Sequence, residues 1–254
     1  MRTFVLVGLL FLLSTAIAHA DFNADYQTYL TTYDAYRTAH SQYLTTRNQY
    51  LQYQTLTSKN DALTGVKNFL TSRDEVLLGH FSLLKTRYTG LIYSQLVDSE
   101  MSFLRSHQQE IDSIGSLDDA VDHSQKVEER SLNFKILSRK IVGSVLIDSL
   151  ENLKNEQAYH EESATVHIQN LKNAGKDTTT LERWLIDAKG KRNLAQLKLD
   201  RARSLTDTLT ARSDENLASV YSQIQFALFE AHQYLKEARG FMSELVDSIK
   251  YGPY

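Results

Sequence analysis

Apolar and polar positions alternate in steps of three and four over two long stretches, the spacing of a left-handed coiled-coil seam. In the C-terminal stretch Leu217, Val220, Ile224, Ala227, Ala231, Tyr234, Ala238, Phe241 and Leu245 keep the order 3-4-3-4-3-4-3-4. Near the N-terminus the seam is written largely in tyrosine. Phe22, Tyr26, Tyr29, Tyr33, Tyr36, His40, Tyr43, Arg47 and Tyr50 follow steps of 4-3-4-3-4-3-4-3. The segment Tyr29-Leu30-Thr31-Thr32 recurs fourteen residues later as Tyr43-Leu44-Thr45-Thr46, and Tyr36 recurs as Tyr50. Two heptads make that interval, so the echo stays on one helix face. Disordered tracts are poor in aromatics and carry no such period, so this stretch is expected to be helical.

Between these seams the pattern predicts further helices. The first helix starts near Asp21 or Asn23 and runs to about Leu56, with Thr57–Asp61 as cap and turn. A second segment carries Leu63, Val66, Phe69, Leu70, Leu77, Phe81, Leu84, Tyr88, Leu91 and Ile92, bends near Thr89-Gly90 and continues to Ile111. Gly115 to Asp119 is a break, where Ser116 and Asp119 resemble a weakened capping box. Leu117 to Asn173 reads as one helix of 57 residues with Gly143 its one breaker. Its middle, Leu132 to Leu153, is apolar on more than one face, as expected of a helix surrounded by others. Gly175 marks a turn, Asp177 or Thr178 caps the last helix, and that helix runs from Thr179 towards Lys250, loosened around Thr206–Asn216. Gly252-Pro253 stops it.

An antiparallel hairpin about Gly175 would set the acidic run Asp148, Glu151, Glu156, Glu161 and Glu162 opposite Lys189, Lys191, Arg192, Lys198, Arg201 and Arg203. Read alone, that basic run could suggest a nucleic-acid or anionic-membrane patch. Flanking a seam, it reads instead as the partner of the acidic helix. The formal net charge of −3 agrees, since nucleic-acid-binding domains are normally basic.

Composition narrows the class to all-α. Pro253 is the single proline and glycines number 10, so long helices run unbroken. Cysteine is absent, which excludes disulfides, thiolate catalysis and cysteine metal sites. The chain opens like an export signal: Arg2, an apolar run from Phe4 to Leu13, and Ala18-His19-Ala20 before Asp21 as a small-x-small cleavage site. The apolar run is shorter than the ~20 residues that span a bilayer, and no later stretch offers eighteen consecutive apolar residues. A cleaved chain is therefore expected to lack a transmembrane anchor. The organisation expected is a signal peptide over 1–20, N-terminal helices with the tyrosine stripe over 21–115, and a long antiparallel hairpin over 116–254, packed together as one elongated bundle.

No phosphate-cradling glycine loop, nucleophile elbow or H-E-x-x-H occurs, and no cofactor site or catalytic residue is identified. Tyr159-His160-Glu161-Glu162 with His167 comes nearest to a metal motif. The two histidines lie two helical turns apart, about 10 Å, too far for one ion, so they read as solvated. His40 and Arg47 read as register devices in the tyrosine seam, and Trp184 as a packing anchor near the Gly175 turn. Tyr26, Tyr29, Tyr33, Tyr36, Tyr43 and Tyr50 have two readings: a half-buried packing stripe, or a recognition surface for a protein, a glycan or a second copy, with Thr31, Thr32, Thr45 and Thr46 as its polar rim.

The block YLTTRNQYLQYQTLTSKNDALTGVKNFLTSRDEVLLGHFSLLKTRY, Tyr43–Tyr88, resembles uncharacterised exported helical proteins of candidate-phylum bacteria through its spaced tyrosines, its Tyr53-Gln54-Thr55-Leu56-Thr57 turn and its Arg73-Asp74-Glu75-Val76-Leu77 segment. That resemblance implies export and helicity and carries no activity. The function expected is a non-enzymatic structural or adhesive role at the cell envelope, through helix-mediated association. The alternative is an envelope chaperone or carrier that holds hydrophobic cargo between helices.

Overall fold

The computed structural model describes residues 19–88 and 90–251. The expected leader up to Ala18, Thr89 and the Gly252-Pro253 stop lie outside the described residues, whereas Ala20 and Asp21 fall in the first turn of the first helix. The described residues form six α-helices and no strand: α1 (His19–Tyr53), α2 (Leu56–Arg87), α3 (Leu91–Ile111), α4 (Leu117–Asn173), α5 (Thr179–Asp207) and α6 (Asp214–Tyr251). They fall into two compact units, Met1–Ile141 and Val142–Tyr254. The division lies inside α4, within its apolar middle, and not at the turn before Leu117.

Each connection has a local cause. Thr55 caps α2 by a reciprocal box with Ser58, so Thr57–Asp61 belongs to the helix and the turn shrinks to Gln54-Thr55, with Gln54 in the left-handed region at φ 47. At Gly90 the chain reverses where a bend was expected: Lys85 reaches back to Asp98, and His107 to Asp74, so α3 runs antiparallel to α2. Before α4, the Asp119 amide donates to Ser116 Oγ as the expected box requires, while the Asp119 carboxylate accepts from the Gly115 amide, one residue before the cap. At the end of α4, Gly175 takes φ 75. There the Lys176 amide donates to the Leu171 carbonyl and the Gly175 amide to the Lys172 carbonyl, closing a Schellman turn. Asp177 accepts from the Thr179 amide to start α5.

The last segment is not one loosened helix. Thr208–Ser213 breaks it without glycine or proline: Leu209 is buried in the turn and Ser213 Oγ accepts the Asn216 amide. Lys191 then pairs with Glu237 and Lys198 with Glu230, so α6 returns antiparallel to α5.

In the first unit α2 is the central helix, touching α1, α3 and the first part of α4. Its contact with α1 explains the tyrosine echo. Tyr29 lies over Gly79 and Tyr43 over Gly65, and the two glycines are themselves fourteen residues apart. The same antiparallel register sets Tyr36 opposite Ser72 and Tyr50 opposite Ser58. Small residues of α1 alternate with the rings: Thr32, Ala39 and Thr46 stand opposite Val76, Phe69 and Ala62. Tyrosine rings thus lie over the glycines of α2 and Ala39 faces Phe69, which lets the backbones approach closely. The seam is displaced from the one read in the sequence, because Thr32, Ala39 and Thr46 occupy it while Tyr26, Tyr33 and His40 lie on its edge and Arg47 is exposed.

The second unit packs α5 and α6 on the last part of α4. Buried α6 residues are Leu217, Tyr221, Ile224, Leu228, Ala231, Leu235, Ala238, Met242 and Leu245, with Ala227 beside them. At three positions the seam falls one residue beyond the one expected, on Tyr221, Leu235 and Met242 instead of Val220, Tyr234 and Phe241. On α5 Leu181, Leu185, Ala188, Ala195, Leu199, Ala202 and Thr206 are buried in the same rhythm, and each fully buried leucine contributes about 1.5–3 kcal/mol. Trp184 packs, partly buried, against the core cluster that joins Ala164 and Ile168 of α4 to Leu181 of α5 and Met242 of α6, close to the Gly175 turn.

The α1–α2 contact yields a graded test. A Cβ on Gly65 would stand 2.5 Å from Thr46 Oγ1, whereas one on Gly79 would meet Thr32 Oγ1 at 3.5 Å, an ordinary contact. Gly65→Ala is expected to lower the thermal midpoint and Gly79→Ala to hold or raise it, since alanine gains up to ~1 kcal/mol of helix propensity. Adding Thr46→Ala to Gly65→Ala should restore the loss. Circular dichroism melts of the three variants check this order.

Candidate functional site

Two layers of buried polar side chains interrupt otherwise apolar seams, and they are the chemically distinctive places in the fold. Each arises because a core position of a heptad row holds an ionisable residue.

In the first unit Asp74 occupies the α2 row Val66, Leu70, Asp74, Phe81, Leu84, and His107 the α3 row Leu104, His107, Ile111. Both are fully enclosed. His107 Nδ1 faces Asp74 Oδ2 in a short contact, and its Nε2–H donates to the His123 carbonyl at 3.0 Å. With a carbonyl fixing the proton on Nε2, the carboxyl oxygen and Nδ1 hold one further proton between them. Arg73 Nη1 donates to Ser124 Oγ at 3.2 Å, and its Nε stands 3.5 Å from Asp74 Oδ1, an ion-pair separation without an aligned hydrogen bond. Arg73 Nη2 and His123 Nδ1 are buried without a hydrogen-bond partner. Burial lowers the Arg73 guanidinium from its ordinary value, while Asp74, Tyr36 and Glu128 pull it back up. Burial likewise lowers His123, helped by Lys126 and His107 and opposed by Glu110 and Asp119.

A third imidazole lies on the flank of α2. His80 Nε2–H donates to Ser138 Oγ at 2.9 Å, because that hydroxyl gives its own proton to the Phe134 carbonyl at 2.8 Å. Desolvation pushes His80 down to about 4, so it is neutral at physiological pH.

In the second unit α4 carries Lys154, Gln157 and Glu161 along the row that continues as Ala164 and Ile168. Glu161 is 1% exposed and accepts from Arg192 Nε at 2.9 Å, with Arg192 filling the gap between Ala188 and Ala195 on the α5 seam. Gln157 donates to the Leu235 carbonyl of α6 at 2.8 Å, and Lys154 to Gln196 of α5. Glu161 Oε1 and Gln157 Oε1 have no hydrogen-bond partner. This layer joins all three helices at one level.

The basic run on α5 is divided between its neighbours. Arg192 and Arg203 pair with Glu161 and Glu151 of α4, within three residues of the register read from the turn. Lys191 and Lys198, expected to face α4 as well, pair with α6 instead. Of the Tyr159-His160-Glu161-Glu162 motif only Glu161 turns inward, and His160 and His167 are exposed.

The six tyrosines are brought together on one side of α1, against α2. Tyr29 is buried, and Tyr26, Tyr33, Tyr36, Tyr43 and Tyr50 are half-buried. Tyr36 and Tyr43 lie with ring centroids 5.6 and 5.3 Å from Phe69, and His40 at 5.2 Å completes that cluster. Burial raises the phenols of Tyr29 and Tyr36 above their ordinary value. Sequence reasoning passed over Asp74 and His107, and read Arg192 as a flank partner of the acidic helix where it holds a seam position. Their signal was a polar residue where the apolar row required a large aliphatic one.

Two shallow depressions are open and polar, one formed on α1 by Asp34, Arg37, Thr38, Ser41 and Gln42, the other at the α5–α6 turn by Thr210, Ala211, Arg212 and Asn216. Large apolar side chains are exposed elsewhere, notably Ile186 and Leu197 on α5 and Phe226 and Phe229 on α6.

The Glu161–Arg192 pair sets up a test of what the polar layer does. Arg192→Ala leaves a buried carboxylate unpaired and should cost about 3 kcal/mol, the lower end of the range for such breaks because Arg192 is partly exposed. The double variant Glu161→Leu/Arg192→Leu should recover most or all of that loss. Urea unfolding followed by circular dichroism distinguishes the two.

Comparison with known proteins adds no relative to this geometry: no family model, no curated protein and no solved structure matches the chain.

Proposed function

We propose that this chain is an exported, non-enzymatic helical scaffold of the cell envelope, acting by helix-mediated association with a second copy or with a surface protein or glycan. The observation that carries the reading is on α5. Opposite a seam already filled by α4 and α6, this helix presents Ile186, Leu194 and Leu197, which are 68%, 39% and 64% exposed. Gly190, between them, has open space around it, with no neighbouring atom within 4 Å of a Cβ built there. Phe226 and Phe229, 61% and 57% exposed, add ring area on α6. Exposed apolar side chains in series on one helix favour association with another surface. The tyrosines are engaged by α2, which moves the associating surface from α1 to α5.

The leader-like first twenty residues support export, and no helix among the described residues is long and apolar enough to cross a membrane.

Light scattering of residues 21–254 should report a mass above that of one chain, or binding to isolated envelope. Ile186→Ser/Leu197→Ser should lower either signal while helicity is kept. A monomer indifferent to envelope, or association unaltered by these substitutions, would overturn the reading. N-terminal sequencing of the protein recovered outside the cytoplasm should begin at Asp21.

A further inference from the structure

We propose that the buried histidine layer of the first unit is an acid-sensitive latch, in which proton uptake at His123 parts α3 and the start of α4 from α2 while the second unit stays packed. The argument begins from what surrounds these rings. From α2 they meet Asp74, from α3 Glu110, and from α4 Asp119 and Lys126, while Arg73 stands beside Asp74 with Glu128 of α4 and Tyr36 of α1 acting on its guanidinium. The two imidazoles are 5.3 Å apart between ring centroids.

The capacity of this layer to accept another positive charge is already used. Asp74 is committed to His107 and Arg73. Glu110, exposed at the rim, accepts from Lys126 at 2.8 Å and lies 3.8 Å from His123 Nδ1. His123, whose side chain is 14% exposed, would on protonation face Lys126 and a second imidazole at close range. The closed arrangement therefore holds His123 neutral, and an opened one takes up its proton in water near the ordinary histidine value of about 6.5.

The sign follows from linkage. A histidine whose value is lowered in the closed state leaves stability intact above the ordinary value and removes it as pH falls below. Over that window the open state binds more protons, so opening becomes up to about tenfold easier per pH unit for each proton taken up. The second unit has no such layer among its described residues: His160, His167 and His232 are exposed. Its buried polar layer rests on Glu161, Arg192, Lys154 and Gln157, none of which is an imidazole.

Native-state hydrogen exchange on the full chain at about pH 7.5 and about pH 5, corrected for intrinsic rates, tests the latch. Amides of Phe103–Ser113 and Ala120–Val127 should lose protection at the lower pH, by up to about tenfold per pH unit below the ordinary histidine value, while α5 and α6 keep theirs. His123→Gln should remove most of the loss at these amides. His80, pushed to about 4 and seated on Ser138, adds an acid-driven opening of its own, so His80→Gln should lessen the loss around Phe134–Ser138 and leave that at Phe103–Ser113 and Ala120–Val127 in place. An equal loss in both units, no loss, a full loss persisting in His123→Gln, or its abolition by His80→Gln would each overturn the proposal. If His123→Gln does not fold, the imidazole NMR signals of the unsubstituted chain decide. Protonation of His123 coinciding with the loss of protection supports the latch, and protonation without that loss refutes it.

Discussion

Antiparallel helices that share a long seam must keep the three- and four-residue steps of both partners in phase, and each connection in this chain is shaped to hold that phase. With no cysteine to staple it and one proline at its far end, the chain draws its stability from buried surface along these seams. The turns therefore matter as much as the cores. Gln54-Thr55 sets α1 against α2, the Schellman turn at Gly175 sets α4 against α5, and buried Leu209 with the Ser213 cap sets α5 against α6. Surface ion pairs along the flanks, worth ~0–1 kcal/mol each, agree with the register more than they create it.

Both units place charge inside their seams, in chemically different ways. The second unit uses a guanidinium–carboxylate pair with an amide and an ammonium beside it. The first sets two imidazoles beside a carboxyl, and burial lowers the His123 ring from its ordinary value. A polar layer fixes which residue meets which, because a slip would strand a buried charge. Asp74 and Glu161 serve that purpose alike, yet only the layer around Asp74 couples register to proton concentration.

Much of this architecture is legible in the residues. The scarcity of proline and glycine, the bounds Leu117 and Asn173 of α4 and the turn at Gly175 follow from local rules of helix starts and stops. Seam phase was harder. On α6, Val220 and Tyr221 are both apolar, as are Tyr234 and Leu235, and a hydropathy pattern cannot choose between neighbours when packing geometry decides. On α1 the aromatic signal drew the seam through Tyr33 and His40, whereas close approach to Gly65 and Gly79 favours Thr32, Ala39 and Thr46. Chain reversal at Gly90 and at Thr208–Ser213 was read as bending, because a cap states that a helix ends and not where the next one goes. Asp74 and His107 were hidden for another reason: a polar residue in an apolar row resembles noise until the facing helix supplies its counterpart.

The two-residue turn at Gln54-Thr55 has a consequence for how α1 and α2 find each other. Tyrosine recurs every seventh residue from Tyr29 to Tyr50, and Ser58, Gly65, Ser72 and Gly79 recur every seventh on α2. A slide of one heptad would recreate most rungs of this ladder, so the side chains alone leave the pairing degenerate. The slide would also move the two helix ends about 10 Å apart, at 1.5 Å per residue. A turn this short could span that gap only by unwinding helix on either side. The left-handed Gln54, costing roughly 1–2 kcal/mol, acts as the zero mark of a ruler whose other divisions are alike. Mispaired hairpins during folding should therefore be brief, corrected at the tip and not along the seam.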